Sequence, residues 1–309
     1  MDELNNLSAE ELVEGGFCDV VRLFVKNEPH SASKIEQGRF RLISSVSLVD
    51  QIVERLLFSR QNHKEIDNWT VIPSKPGIGL DLDEQTEAVW KHVRKLAGPA
   101  TVASSDASGW DWSVQGWELE AEAEMRIALA DTTGGIFADL VRKRFRCLSL
   151  SVFYLSDGRM FAQTIPGVMK SGSYVTGSSN SRIRKLASDL VGAEWCISMG
   201  DDAVEAVVKD AVAKYEQLGH SIKGYDIDFT FEFCSHIFTG GPVVIPTNWG
   251  KSLYRLLSKR YDPVEQDQYE QLLRYAPHLV ERSRWLMRRV GWGPENLEGE
   301  DHGQEEPEC

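Results

Sequence analysis

The sequence predicts an α+β fold, and three observations carry that prediction. Short apolar, β-prone runs alternate with longer helical segments along the chain. Two of the short runs, residues 195–199 and 203–208, flank Gly200-Asp201-Asp202 and read as a β-hairpin with two acids at its tip. At 309 residues, 42% hydrophobic and 26% charged, the chain is long enough to bury a sizeable core as one large or two modest domains.

From the N-terminus, residues 20–25 and 41–46 read as strands flanking the loop Lys26-Asn27-Glu28-Pro29-His30. Residues 48–60 read as a helix with Val49, Ile52, Val53, Leu56 and Leu57 on one face. A Pro/Gly-punctuated loop at 73–79 precedes a second helix at about 83–96, which Gly98-Pro99 ends. Residues 101–105 form a β-prone run that delivers Asp106 at its end, and a helix rich in Glu, Ala and Leu follows from about 117 to 130. After a basic stretch, 152–155 and 160–162 read as strands around the turn Ser156-Asp157-Gly158-Arg159. The glycine-rich loop 167–172 opens a helix running to about 190. Residues 209–218 are helical, with Gly219 as C-cap. Residues 229–238 are aromatic and β-prone, and 253–257 and 269–290 are helical. The acidic segment from Gly291 is expected to be disordered.

Composition narrows the class. No stretch approaches the eighteen or so uninterrupted apolar residues of a membrane span, and Met1-Asp2-Glu3-Leu4 lacks the basic and apolar regions of a signal peptide, so a cytosolic setting is expected. Cys18, Cys147, Cys196, Cys234 and Cys309 are scattered and never spaced as C-x₂-C, which argues for buried reduced thiols over disulfides or a zinc site. The net charge of −13 opposes nucleic-acid binding until its distribution is considered. Residues 293–309 hold seven of the 47 acids and no Lys or Arg, and the bases cluster at 22–41, 142–146, 182–185 and 282–289. Phosphates respond to charges within a Debye length of about 8 Å, so local sign matters more than the total. Any one cluster taken alone reads best as a solvated helix face.

The chemistry-bearing residues are acidic. Nucleotidyl transfer uses two divalent cations roughly 3.5–4 Å apart. Mg²⁺ takes oxygen ligands and keeps part of its water and substrate shell, so a few converging carboxylates suffice. A strand-end Asp106 and an Asp201-Asp202 hairpin tip supply them if their strands are neighbours. An Asp-Asp turn alone is usually just a turn.

Order and company add to it. Asp106-Ala107-Ser108-Gly109-Trp110-Asp111, then Ser171-Gly172-Ser173-Tyr174-Val175-Thr176-Gly177-Ser178-Ser179-Asn180-Ser181, then Ser198-Met199-Gly200-Asp201-Asp202 resemble motifs A, B and C of viral RNA-dependent RNA polymerases. The flanking Lys26-Asn27-Glu28-Pro29, Trp110-Asp111-Trp112-Ser113, Asn180-Ser181-Arg182-Ile183-Arg184 and Phe233-Cys234-Ser235-His236 resemble the sobemovirus, polerovirus and barnavirus lineage, over roughly residues 20–259.

The resemblance implies a right-hand polymerase. Its fingers would be built from about 1–100 with an insertion at about 115–168, its palm from 101–239, and a small helical thumb from 240–290, with the acidic tail 291–309 beyond. It implies that Asp106 and Asp201, with Asp202 assisting, hold Mg²⁺, for which Mn²⁺ can substitute. It implies that Asp111 and Asn180, assisted by Ser171 and Thr176, read the ribose 2′-hydroxyl, and that Gly172 belongs to the nucleotide-binding set. A buried site built to bond a hydroxyl can reject the analogue lacking it by up to roughly 10⁴–10⁵. In the region resembling motif F, Lys26, Arg39 and Arg41 would grip the NTP triphosphate, where the planar guanidinium fork suits phosphate oxygens. Glu28 would brace one of these bases. In the region resembling motif D, Lys223 would protonate the departing pyrophosphate, with His220 as a rival. The implied partners are RNA template and product, NTPs, a genome-linked protein primer and other viral replicase proteins. The implied setting is the host cell cytoplasm, at membrane-associated replication complexes. The resembled lineage replicates positive-strand RNA.

Three rivals remain. A reverse transcriptase shares the aspartates but excludes the 2′-hydroxyl with a bulky residue, and a metal-dependent nuclease has no need of the ribose-reading set. The third is a non-catalytic RNA-binding or replicase-assembly fragment, raised because only 25 residues precede Lys26.

Overall fold

The computed structural model describes residues 4, 6–30, 32–130 and 135–294. The predicted acidic tail therefore lies, from residue 295 onward, outside the described residues. Among the described residues, eleven strands form three sheets: β1 Val21–Val25, β2 Leu42–Ser45, β3 Val102–Ala107, β4 Val152–Leu155, β5 Met160–Ala162, β6 Cys196–Met199, β7 Asp202–Glu205, β8 Ile222–Asp228, β9 Phe231–Phe233, β10 His236–Gly240 and β11 Val243–Pro246.

The sheet that positions the acids has the order β6-β7-β3-β8 and is antiparallel throughout. Ser105 faces Ala203 across β3 and β7, so the next step along both strands sets Asp106 beside Asp202. One face of this sheet packs on the helix Asp83–Ala97, where Val89 and Val93 meet Val102, Ile197 and Val204, all fully buried. Burying each such side chain contributes roughly 1.5–3 kcal/mol. Helix Asp83–Ala97 thus shares a core with the acid-bearing strands. Helices Gly116–Ala128, Gly135–Ser149 and Thr176–Val191 build the larger core, with Leu119, Phe145 and Ile183 at its centre.

A second sheet, β2-β1-β4-β5, joins the N-terminal hairpin to the predicted hairpin 152–162 through a parallel β1–β4 pair. The third, β11-β10-β9, divides the aromatic, β-prone run 229–238 between β9 and β10 and adds β11 beyond it. Cys234 and Ser235, at φ 51° and 59°, turn the chain back on itself there. The helical segment expected at 269–290 is two helices, Pro263–Leu272 and Pro277–Arg289, because Pro277 cannot continue a preceding helix and instead starts the next. These pack with Trp249–Leu257 around Leu253, Tyr269, Leu273 and Met287 as a separate small core.

Helix Leu48–Asp67 has the predicted apolar stripe, but apart from Leu57, which packs on the main core, the stripe faces outward. Leu48, Val49, Ile52, Val53 and Leu56 are exposed, while Asp50, Glu54, Phe58 and Asn62 are buried. The inward polar face is held by Arg144, which bonds Asp50 at 2.7 Å and Glu54 at 2.7 Å. Arg144 lies on helix Gly135–Ser149, where the sequence showed only a basic stretch. Arg182 and Arg184 are buried too, so neither cluster is a solvated face. Cys18, Cys147 and Cys196 are buried free thiols, as expected, whereas Cys234 is only half-buried.

Candidate active site

The end of β3 and the β6–β7 turn open on one cleft of about 940 Å³. Asp106, Asp201 and Asp202 line it, together with Lys26, Arg39, Arg41, Asp111, Ser171 and Lys223. The turn needs Gly200, whose φ of 61° is left-handed while open space surrounds its Cα, so the requirement is conformational rather than steric. Asp106 is half-exposed and meets Lys223 Nζ at 3.0 Å. Burial raises the Asp201 carboxyl above the usual range, as does the charge of Asp106, against the pull of Lys223 and Arg41. Asp202 is pushed up to about 7 by burial and by the charges of Asp201, Asp106 and Glu232. Among the described residues, no three His, Cys, Asp or Glu side chains are gathered closely enough to form a ready-made metal cage. The donor set is nevertheless that of a hard cation: carboxylate oxygens sharing one cleft and raising one another's proton affinity.

Asp111 sits on the short helix Trp110–Ser113, entered through Gly109 at φ 62°. Asn180, on helix Thr176–Val191, donates from Nδ2 to Asp111 Oδ1 at 2.7 Å. Burial raises the Asp111 carboxyl, Asn180 opposes the shift, and Asp201 adds to it. Asn180 Oδ1 is buried with no hydrogen-bond partner among the described residues. Ser171 Oγ accepts from the Ser44 amide at 3.0 Å at the cleft edge. Gly172 and Thr176 lie behind the lining. A Cβ on Gly172 would come within 2.6 Å of Ser44 O, and the Thr176 hydroxyl donates to Lys170 O at 2.7 Å.

Glu28 braces more than one base. Its carboxylate, 2% exposed, meets Lys26 and Arg41 at 3.3 Å each, Lys251 at 3.1 Å and Arg255 at 3.0 Å. Burial alone would raise Glu28, but Lys251 and Lys26 outweigh it and hold the carboxyl at about 2. Arg39 and Arg41 run into β2 and both line the cleft. Lys223 lies on β8 rather than in a loop, directly beside Asp106. His220 is fully buried between Glu118 at 2.8 Å and Ser113 at 2.8 Å, stacked on Trp110, so it does not reach the cleft.

Residues 1–255 match the family model described as viral RNA-directed RNA-polymerase. The chain is 48% identical over 272 residues to the replicase polyprotein P2AB of Southern cowpea mosaic virus, covering 85% of this chain and 28% of that protein. It is 46% identical over 263 residues to a Potato leafroll virus protein, covering 82% of this chain and 24% of that one. It is 40% identical over 299 residues to the RNA-directed RNA polymerase of Mushroom bacilliform virus, covering 90% and 70% respectively. The chain belongs to the viral RNA-directed RNA polymerases. It spans less than a third of the length of the first two of these relatives. The RNA-dependent RNA polymerase of a human picobirnavirus shares the fold, with a TM-score of 0.68 at 16% identity over 90% of this chain and 57% of that one. The expected α+β, right-hand polymerase architecture is therefore what this chain has.

Several residues lining the cleft were not singled out in the sequence as site residues. Lys34, Trp112, Asp226 and Glu232 also line it. Lys34 lies within the basic cluster 22–41 and Trp112 inside a quoted motif, but Asp226 and Glu232 become visible only once β8 and β9 are known. Behind the cleft, Arg126 and Arg182 both bond Glu122 at 2.8 Å in a fully enclosed cluster with Ser179. Its only sequence signal was the 122/126 spacing of an i,i+4 pair.

Proposed function

We propose that this chain catalyses template-directed RNA synthesis from NTPs and replicates and transcribes the genome of a positive-strand RNA virus. The observation that carries the reading is the β3–β7 register, which sets Asp106 beside Asp202 on a cleft that Arg39, Arg41 and the Asn180-bonded Asp111 also line. Asp106, Asp201 and Asp202 would hold Mg²⁺ or Mn²⁺, which when bound neutralises phosphate charge and activates the attacking hydroxyl. Lys26, Arg39 and Arg41 grip the triphosphate, with Glu28 fixing Lys26 and Arg41 in place. The primer 3′-hydroxyl gives up its proton to solvent and attacks the α-phosphate, so that a 3′O–Pα bond forms as the bond from Pα to the bridging β-oxygen breaks and pyrophosphate leaves. Lys223 Nζ, beside Asp106, supplies the proton the pyrophosphate takes up. Asp111 and Asn180 read the ribose 2′-hydroxyl, and the unpartnered Asn180 Oδ1 is an acceptor left for a ligand group. Ser171 lines the same cleft, and Gly172 and Thr176 shape the loop behind it.

In this reading the palm is 101–239, with helix Asp83–Ala97 as its support, the fingers are 1–100 with the insertion 115–168, and the thumb is 240–290. RNA template and product, a genome-linked protein primer and other replicase proteins are the partners, at membrane-associated complexes in the host cytoplasm. Among the described residues no helix is long and apolar enough to cross a membrane. The test is incorporation of labelled NTP on an RNA template by the purified chain with Mg²⁺ or Mn²⁺, beside Asp202→Asn. Incorporation that the variant loses is expected. A silent wild type would favour a non-catalytic RNA-binding fragment.

A further inference from the structure

Arg184 lies one turn beyond Asn180 on helix Thr176–Val191 and is fully buried. Its Nε donates to the backbone oxygen of Asp201 at 3.2 Å, one Nη to Tyr215 Oη at 2.7 Å, and the other Nη to Ser105 Oγ. Ser105 immediately precedes Asp106 on β3, and Asp201 is the tip of the β6–β7 turn. One guanidinium therefore ties together the helix and both acid-bearing strands. Its counter-charge is Glu205, 3.8 Å away on β7, whose Oε2 accepts from Tyr215 at 2.7 Å and Ser188 at 2.6 Å. The planar fork matters here, because three acceptors in three directions match a guanidinium and not the point charge of a lysine.

We propose that Arg184 is a positioning residue that sets Asp106 and Asp201 relative to each other, and so tunes cation binding at the cleft without touching substrate. The proposal rests on the polymerase reading for its catalytic consequence but not for its geometry. Outer residues that orient metal-holding groups typically change affinity or activity by about 10–100-fold when replaced.

The experiment compares the full chain with Arg184→Lys and Tyr215→Phe by calorimetric titration with Mn²⁺ and by single-nucleotide incorporation. A folded Arg184→Lys should bind Mn²⁺ about tenfold more weakly and lose about tenfold in kcat, with KM for NTP within about threefold. The NTP/dNTP preference should hold, because Asn180 and Asp111 are untouched. Mn²⁺ affinity and kcat both within about twofold of wild type would overturn the proposal. If Arg184→Lys lacks a cooperative melt, Tyr215→Phe decides, since it frees one Nη: a loss of about threefold in Mn²⁺ affinity supports the role, and no loss overturns it. A wild type that binds Mn²⁺ in an Arg184-dependent way but incorporates no nucleotide ends the polymerase reading and leaves this one standing. A wild type that binds no Mn²⁺ overturns it.

Discussion

Carboxylates taken out of bulk water occur in two regions of this protein, and it treats them in opposite ways. Behind the cleft each meets arginine or hydroxyl donors from within, although one Glu205 oxygen has no hydrogen-bond partner among the described residues. Glu54 accepts from Arg144 and from Ser173 Oγ at 2.8 Å, Glu122 from Arg126 and Arg182, and Glu205 from Tyr215 and Ser188 with Arg184 nearby. In the cleft, Asp201 and Asp202 have no ion pair among the described residues, and Asp106 has only the exposed Lys223. Scaffold acids must be balanced internally because nothing else reaches them. The cleft acids keep much of their mutual repulsion, which Lys223, Arg41 and Arg184 offset only in part and which a cation or a proton from outside relieves.

Exchanging the outcomes of mutation between the two regions would break this comparison. Asp106→Ala or Asp201→Asn should lower nucleotide incorporation by about 10³-fold or more, some 4 kcal/mol at the transition state, without lowering the thermal midpoint. Full activity in either variant would remove the two-metal assignment. Arg126→Met should do the reverse. It leaves Glu122 buried with one cation fewer and should cost about 3–5 kcal/mol of folding stability, read from denaturant titration. A stable, inactive Arg126→Met chain would mean that the network belongs to the site.

The same division explains what was legible in the sequence. Asp106 and the Asp201-Asp202 turn could be placed because local signals, β-prone runs and a Gly-Asp-Asp turn, mark them. Their register could not, since it is set by β8 and β7 on either side of β3, and β8, Ile-Lys-Gly-Tyr-Asp-Ile-Asp, is too polar to read as a strand. Helix Leu48–Asp67 was located but its orientation was not readable from periodicity. Its buried face is polar and is stabilised by Arg144, 90 or more residues away, and no local pattern reports such a pair. Lys251 and Arg255 were missed for the same reason, because their partner Glu28 lies more than 200 residues upstream.

Two further tests sharpen the contrast with smaller effects. Asn180→Ala should reduce the preference for NTP over dNTP by about 10–100-fold, roughly 1.4–2.7 kcal/mol, in competition assays. An unchanged ratio would take Asn180 out of sugar reading. The second test is pH. Asp202 titrates at about 7 in the fold against an unfolded value of about 3.9, so the folded chain holds the extra proton between these limits. Stability of the cation-free protein should therefore fall as pH rises from about 4 to about 7, then level off. Glu122, buried and also raised to about 7, adds to the slope. Asp202→Asn isolates the cleft's share, and a slope unchanged in that variant would contradict the repulsion argument.

Glu28 stands between the two regimes, and its replacement should have the smallest effect. It is enclosed like a scaffold acid, yet it faces four cations, two on the segment between β1 and β2 and two on helix Trp249–Leu257. Its sign is opposite to that of Asp202. With its carboxyl held at about 2, its contribution is present above about 4.3, the unfolded value, and is lost as pH falls through about 2. No working pH neutralises it, so Glu28→Gln is the way to remove the charge while keeping an oxygen acceptor. The four cationic side chains are 33–62% exposed, and each such pair is worth only about 0.2–1 kcal/mol. Losing the shared anion should let Lys26 and Arg41 drift from the cleft, raising KM for NTP about threefold with kcat little changed. Because salt screens exposed charges, the difference from wild type should shrink between about 0.05 and 0.5 M salt. Equal KM values at every ionic strength would mean that the loop is held by its backbone, through the Lys26–Arg41 pairing at 2.8 Å, and not by Glu28.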